Sequence, residues 1–554
     1  MSSKTVFTIS DLLESLGGRL IHGNPEAVFN NYCIDSRYVD DRSLFVPLMG
    51  QSRDGHQFVI DAINKGAVAA LVRSGHHQVH EIVGWLRERS SRSGYGEMED
   101  VCVVEVRHTL VALQKLAEWF RMQFDVQVLG VTGSVGKTGT KEMLIQLLSQ
   151  KYPTVGTEKN FNNEIGVPLA LSRITGRTRT AVIEMAMRAR GEISLLSRIA
   201  HPNLAIITNT SGSHVGRLGS FEEVYKAKCE IVTGMCSPGK IVLNLRDPNV
   251  LAVIEELKNR KEGPAELEMV FFDSSAAYTN AGLAPFITPG HVDNCHEDLP
   301  EATVWLEDVK VHGLDGSTCT LCSKDERAPV QLNMLGRGAL ENLTAAACAA
   351  LQYDMSLKEV AEAAPSLLPA PQRLNLFQLR EELFLVDDCY NSSPGSIIDS
   401  LELMLNIDPK YRKILVLGDM LELGKFETLL HRQFAQTALS LPFHAVFAIG
   451  PRMNAVNEVE ANDDVELYYI EGRSGFEGYG GGRIGSRFGD SNGRGRDQRQ
   501  TSGSVILDDR AAYKLSAMLL DEVNNAKQPT VVLVKGSRAL HLERIVNDLL
   551  TGTN

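Results

Sequence analysis

Short apolar runs separated by segments of helical period recur along most of the chain, and they fall into three stretches. In residues 1–107 the runs LFVPL (44–48), VAALV (68–72) and VCVVEV (101–106) read as strands, with a helix pattern near 58–65. The polar, glycine-bearing segment 87–100 reads as a surface loop. An amphipathic pattern from Thr109 to about Phe124 predicts a helix. From Val126 onward the alternation is regular. VQVLGV (126–131) precedes a helix at 138–150, AVIEM (181–185) precedes one near 191–200, and AIITN (205–209) and IVLNL (241–245) follow. Strands spaced by helices of this length predict βαβ units and a parallel sheet. Beyond about 303 the pattern turns strand-rich, and a helix is expected over 340–353. From 368 the runs LFLVDD (383–388), KILVLGD (413–419), HAVFAIG (444–450), VELYYI (465–470) and TVVLVKG (530–536) predict a second α/β unit. Ser393 followed by Pro394 marks a helix start there, a capping hydroxyl before a residue that needs no N–H.

The expected fold class is therefore α/β in three domains. Residues 1–107 form a small mixed N-terminal domain, 108–367 a central P-loop mononucleotide-binding domain, and 368–554 a Rossmann-like C-terminal domain. Within the last, 471–503 has eleven glycines and six arginines with no periodicity, and it reads as a disordered insertion. Four acids offset those arginines and no RGG triplet repeats, which argues against an RNA-binding tract.

The 554 residues suffice for several cores. The net charge of −13 is a poor match to a general nucleic-acid binder, whose footprint is basic. No apolar run reaches the length of a membrane helix, and the start lacks a signal-peptide pattern, so a cytoplasmic protein without membrane insertion is expected. Nine scattered cysteines fit reduced thiols. The pair Cys319 and Cys322 has no second Cys/His pair at zinc-site spacing and reads as part of a strand.

TGSVGKT, Thr132 to Thr138, carries the strongest chemical signal. It follows a predicted strand and opens a predicted helix, as a phosphate-binding loop requires. Gly133 and Gly136 let backbone N–H groups converge on phosphate oxygens, with Ser134 and Val135 between them. Lys137 supplies charge, and the Thr138 hydroxyl can hold Mg²⁺. Val131 stands where the general loop pattern has its first glycine. Glu184, at a strand end, can reach a metal beside that loop, and His214 lies on a loop at the same carboxyl edge, where ligands of such sheets bind.

With these motifs the chain resembles the Mur ligase family. The likeness is carried by TGSVGKTGTKEM (132–143), TEKNFNNEIGVPLAL (157–171), VIEM (182–185), ITNTSGSHVGRLGSFEEVYKAKCEI (207–231), DDCYNSSPGS (387–396), LGDMLELG (417–424), VKGSR (534–538) and an N-terminal DSRYVDDRSLFVPLMGQSRDGHQF (35–58). The resemblance implies an ATP-dependent amide ligase of peptidoglycan precursor synthesis. It would join D-alanyl-D-alanine to UDP-N-acetylmuramoyl-tripeptide through an acyl phosphate, releasing ADP and phosphate, and would act as a monomer. Alternatives are another Mur-type or folylpolyglutamate-type ligase, or a binding protein with a degenerate ATP site.

The resemblance also implies residue roles. Asp35, Ser36 and Arg37 would lie near the UDP end of the substrate. Mg²⁺ would sit at Thr138, Glu184 and His214, with Lys228 matching a lysine that is carbamylated in the family. Asn160, Asn162 and Asn163 would line the substrate cleft, and Tyr390 and Asn391 would meet it from the third domain. Asn342 and Asp388 would serve the nucleotide, and Arg373 the γ-phosphate. The chain departs from the family's pattern at Gly338 and Ala339, which replace a His-Asn pair near the base, and at Gln372, which replaces a glycine before Arg373. Those departures predict altered nucleotide affinity and an altered hinge.

Overall fold

The computed structural model describes residues 6–50, 53–92, 101–210, 218–278, 299–460, 462, 465–470, 509–526 and 528–552. Three large sheets organise them, beside a two-stranded pair of Phe7–Thr8 with Val28–Phe29. The first has five strands, in the order Arg19–His22, Cys102–Val106, Ala69–Arg73, Ser43–Phe45, Asn31–Cys33, antiparallel only at the Arg19–His22 edge. The second, of nine strands, runs Arg327–Leu332, Ser317–Cys322, Val304–Val311, Leu267–Asp273, Gly239–Asn244, Leu204–Ile207, Gln127–Thr132, Thr180–Glu184, Thr154–Gly156. It is parallel from Thr154–Gly156 to Val304–Val311 and antiparallel beyond.

The apolar run of each central strand splits by period two between the faces of this sheet. Val128, Ile183, Ile207 and Ile241 enter one core, whereas Leu129, Val182, Ile206 and Val242 enter the other. The second core is closed by the helices Lys137–Ser149 and Arg337–Leu351, the latter contributing a buried run from Leu343 to Ala350. The first core does not stop at the central sheet. It continues through Leu113, Leu116 and Phe120 of the helix Thr109–Met122 to Phe7, Phe29 and Tyr32 of the first unit. The Phe7 and Phe120 rings lie 5.4 Å apart, and the Tyr32 hydroxyl donates to the Pro168 carbonyl at 2.6 Å. The first two units thus share one apolar core.

The third sheet has six strands, in the order Asn375–Arg380, Leu383–Asp388, Thr530–Lys535, Arg412–Gly418, Ala445–Ile449, Glu466–Ile470, parallel except at its first edge. The strand Asn375–Arg380 is absent from the apolar pattern because it is an edge, with every second residue exposed. The helix Pro394–Asn406 begins as its sequence predicts, with Pro394 at its first position and the Ser396 hydroxyl accepting from the Ser393 N–H at 3.0 Å.

Two expectations need correction. Residues 87–92 are not loop but the last turns of a helix, Gln78–Arg92, whose polar composition marks a solvated face. The helix expected from 340 starts at Arg337. Cys319 and Cys322 do lie on a strand, Ser317–Cys322, and the described cysteines are all free thiols. The insertion 471–503 lies outside the described residues, as do most of 273–300 and residues 93–100. Among the described residues no helix is long and apolar enough to cross a membrane.

Candidate active site

The loop Thr132 to Lys137 joins the strand Gln127–Thr132 to the helix Lys137–Ser149 at the carboxyl edge of the central sheet. Its path requires its glycines. A Cβ on Gly133 would stand 1.9 Å from the Thr208 Oγ1, and Gly136 caps the helix at φ 87°. The next strand end buttresses the loop. Ser134 and Val135 donate their N–H groups to the Asn209 carbonyl (2.9 Å) and Asn209 Oδ1 (3.0 Å). Thr208 Oγ1 and Asn209 Nδ2 donate to the Val135 carbonyl at 2.6 and 3.0 Å. Thr208 and Asn209 stand in the quoted ITNT segment, but their role is set by contacts with residues more than 70 positions away.

Lys137 folds back over its own loop, its Nζ donating to the carbonyls of Gly133 (2.7 Å) and Ser134 (3.0 Å). Burial pushes its ammonium down to about 8; Glu184 opposes that and Arg373 adds to it. Glu184 and Arg373 are therefore within electrostatic reach of it. Thr138 is the second residue of the same helix. Asn342 rests on that helix start, its Oδ1 accepting from Thr140 Oγ1 at 3.2 Å, and a Cβ on Gly139 would stand 2.2 Å from its Nδ2.

Glu184 ends the strand Thr180–Glu184 and is 1% exposed. Its N–H donates to Thr157 Oγ1 (2.9 Å), and Lys141, fully buried, donates from Nζ to the Thr157 carbonyl (2.7 Å). Asn162 Nδ2 donates to Glu184 Oε1 at 2.7 Å, which leaves Oε2 buried without a hydrogen-bond partner among the described residues. Thr132 Oγ1, at the foot of the loop, is buried and unpartnered in the same sense. Two unsatisfied oxygens, one anionic, beside a phosphate loop are the hard donors Mg²⁺ takes, so the residues fit that ion.

Lys228, at the end of the helix Phe221–Cys229, is 1% exposed. Burial holds its ammonium well below the usual lysine range, Lys137 pushes the same way, and Asp247 opposes. Asp247 is itself tied to Thr210, accepting from its Oγ1 at 3.0 Å. His214 lies outside the described residues.

From the third unit, Tyr390 reaches this edge. The Arg373 guanidinium lies 4.2 Å from its ring centroid and that of Arg538 5.9 Å. Burial raises its phenol; Arg373 lowers it, Glu184 raises it, and Arg538 and a hydrogen bond with Asn160 lower it. One side chain thus gathers the linker arginine, the strand-end glutamate and the cleft asparagine. Arg373 sits between two residues in left-handed backbone, Gln372 at φ 61° and Leu374 at φ 51°. Gln372 takes a conformation easy for glycine, and its Oε1 accepts from Arg538 Nη1 at 2.7 Å.

The remaining expected residues are engaged within their own units. Asn163 Oδ1 accepts from the N–H groups of Ile165 (3.2 Å) and Gly166 (2.8 Å), so it caps the helix Gly166–Leu171. Asp388 is buried in an ion pair with Lys535 (2.5 Å) and accepts from Ser400 Oγ at 2.9 Å. Asn391 offers Lys535 its carbonyl at 3.5 Å. In the first unit Ser36 is buried, while Asp35 and Arg37 pair with each other at 2.6 Å. Among the described residues, Asp35, Ser36 and Arg37 form no hydrogen bond or ion pair with the phosphate loop.

A second polar group, in the first unit, is a self-contained hydrogen-bond set. Asp54 accepts from His56 Nδ1 (2.8 Å) and His76 Nε2 (2.7 Å), and the two rings stack at 4.0 Å. The remaining ring nitrogens accept from the N–H groups of Arg73 (3.0 Å) and Gln78 (3.3 Å). These bonds fix both tautomers and leave no free lone pair on either ring for a metal.

Comparison with known proteins places this geometry. A sequence profile described as the Mur ligase middle domain matches residues 131–350, and one described as Mur ligase family, catalytic domain, matches 28–121. The UDP-N-acetylmuramoyl-tripeptide--D-alanyl-D-alanine ligase of Bacillus subtilis is 30% identical over 444 residues, covering 80% of this chain and 85% of the relative. The protein of that name from Synechocystis sp. is 31% identical over 460 residues, 82% and 87% of the two chains. In fold, the chain is similar to the crystal structure of MurF from Acinetobacter baumannii, with a TM-score of 0.74 at 22% identity over 99% of both chains. It is also similar to MurF from Thermotoga maritima in complex with ADP, at 0.67 and 22% identity over 94% and 97%. By sequence along most of its length, the chain belongs to the Mur ligase family.

Proposed function

We propose that the chain joins D-alanyl-D-alanine to UDP-N-acetylmuramoyl-tripeptide at the cost of ATP, as a monomeric cytoplasmic enzyme. The observation that carries this reading is that Arg373 lies against the Tyr390 ring, within electrostatic reach of Lys137, where the third unit meets the phosphate loop. Residues 1–107 would hold the UDP end, with Asp35, Ser36 and Arg37 near it. Residues 108–367 would hold ATP on Thr132 to Thr138, assisted by Asn342. Residues 368–554 would bring the dipeptide, with Asp388 ordering the edge that carries Tyr390 and Asn391.

A carboxylate is a poor acyl donor, so the tripeptide carboxylate attacks the γ-phosphorus of ATP and displaces ADP, which leaves an acyl phosphate. Lys137 leaves its two loop carbonyls for the phosphate oxygens, and Arg373 meets the charge that develops on the transferred group. The acyl phosphate is then attacked by the dipeptide amine, giving the amide and phosphate. Tyr390, with Arg373 against its ring, helps keep water from that hydrolysable intermediate. Glu184, Thr138, His214 and a carbamylated Lys228 would hold Mg²⁺, which when bound neutralises phosphate charge. Asn162 orients Glu184 for that task through its 2.7 Å hydrogen bond.

The test is phosphate release with UDP-N-acetylmuramoyl-tripeptide, ATP and a panel of amines. Turnover with D-alanyl-D-alanine and none with single amino acids is expected. Turnover with a single amino acid or glutamate instead would move the chain to another branch of the family, and no turnover with any amine would overturn the ligase reading.

A further inference from the structure

The dipeptide that the proposed reaction consumes has two ends of opposite charge. Its amine must reach the acyl phosphate, and a chain of two residues spans at most about 7 Å. Its carboxylate therefore comes to rest close to Tyr390 and needs a cation there. Four of the cations near that point are committed. Lys137 lies on the phosphate loop, Lys228 is buried beside it, Lys535 is buried on Asp388, and Arg373 stands beside Lys137.

Arg538 is the exception. It follows the strand Thr530–Lys535, and its side chain is 53% exposed. Its base is rigid, because Ser537 Oγ donates to the Asp419 carbonyl (2.7 Å) and accepts from the Leu421 N–H (3.1 Å). Its guanidinium is held from one side only. Nη1 donates to Gln372 Oε1 at 2.7 Å and lies 3.5 Å from Glu543 Oε1, a carboxylate that also faces His541 Nδ1 at 3.2 Å. The opposite edge, Nε and Nη2, makes no hydrogen bond among the described residues. Two parallel N–H donors on that edge match the two oxygens of a carboxylate.

We propose that Arg538 binds the carboxylate of the incoming dipeptide through this edge, with Gln372 and Glu543 fixing the guanidinium from behind. The assignment rests on the ligase reading above and adds a specificity residue to it. It makes the enzyme selective for a free carboxyl terminus, since an amide there would set its own N–H donors against those of the arginine.

The experiment compares D-alanyl-D-alanine with its C-terminal carboxamide in steady-state assays. The wild-type enzyme is expected to prefer the acid by about 10–100-fold in kcat/KM. In Arg538→Ala that preference disappears through a raised KM for the acid, with the KM values for ATP and UDP-N-acetylmuramoyl-tripeptide unchanged. Arg538→Lys restores part of it. Gln372→Ala, which removes one backing contact and keeps the guanidinium, lowers the preference less than Arg538→Ala does. Equal use of acid and amide by the wild type would overturn the assignment. So would an Arg538→Ala enzyme that loses activity on both compounds alike while still preferring the acid, since the arginine would then be structural. Wild-type turnover of neither compound is the separate failure of the ligase reading, and the assignment falls with it.

Discussion

At the scale of single residues, the phosphate loop is defined by what cannot be added to it. Gly133→Ala would drive a Cβ to within 1.9 Å of Thr208 Oγ1, so the loop or the strand end beside it must shift. Loss of nucleotide binding with little change in unfolding midpoint is expected, measured by titration with ADP. Lys137→Ala leaves the loop intact and removes its charge; a fall in kcat of about 10²–10³-fold is expected from losing one such group. Glu184→Gln keeps an oxygen for Asn162 but not the negative charge beside it. The Mg²⁺ concentration for half-maximal turnover should rise at least about tenfold, the order seen when metal-site partners are altered. An unchanged Mg²⁺ requirement would remove Glu184 from the metal set.

At the scale of elements, the ends of Leu383–Asp388 and Thr530–Lys535 are locked by a buried charge pair, with Asp388 8% and Lys535 1% exposed. Breaking such a pair by removing one partner strands the other, at about 3–5 kcal/mol. Lys535→Met should therefore lower stability by that order in denaturant unfolding, and Lys535→Met with Asp388→Asn should recover most of it. A double variant as unstable as the single one would show that the lysine acts by packing. The same pair shows which parts of the site the sequence made legible. Thr132 to Thr138 is contiguous, and Glu184 sits at the end of a readable apolar run, so strand, loop and helix could be placed from pattern alone. The partnership of Asp388 with Lys535 spans 147 positions, and that of Val135 with Asn209 spans 74, so neither leaves a local signal. Asn163 was legible as a polar residue of a motif, but its work as a helix cap depends on where the helix Gly166–Leu171 starts. Gln372 reads as a departure from glycine; that it keeps a glycine-like φ of 61° and spends its side chain on Arg538 is visible only once the third unit is in place.

At the scale of the whole molecule, the first two units are joined by apolar core, whereas the central and third units meet through charge beside a smaller apolar contact of Leu314 and Leu335. The helix Arg337–Leu351 faces the helix Pro394–Asn406, with Arg337 3.3 Å from Glu402 and Gly338 beside the Asp399 carboxylate. Arg246, on the central unit, pairs with Glu341 at 3.0 Å, its guanidinium 3.3 Å from the Tyr278 ring centroid. A Cβ on Gly338 would stand 3.5 Å from Asp399 Oδ2, an ordinary contact. Burial pushes Asp399 up to about 7, with Glu341 and Glu402 adding to the shift and Arg246 and Lys535 opposing it. An unfolded aspartate titrates near 3.9, so between about pH 4 and pH 7 the folded chain holds a proton that the unfolded chain has lost. Stability therefore falls as pH rises through that window, and above it the folded protein carries an ionised Asp399 among carboxylates. Asp399→Asn removes this dependence. At pH 8 the variant should melt about 2–4 °C above the wild type, and the difference should close as the pH falls toward 4. A variant less stable than the wild type at pH 8 would mean that Arg246 and Lys535 hold the ionised form, and that the two units are joined there by attraction rather than strained by like charge.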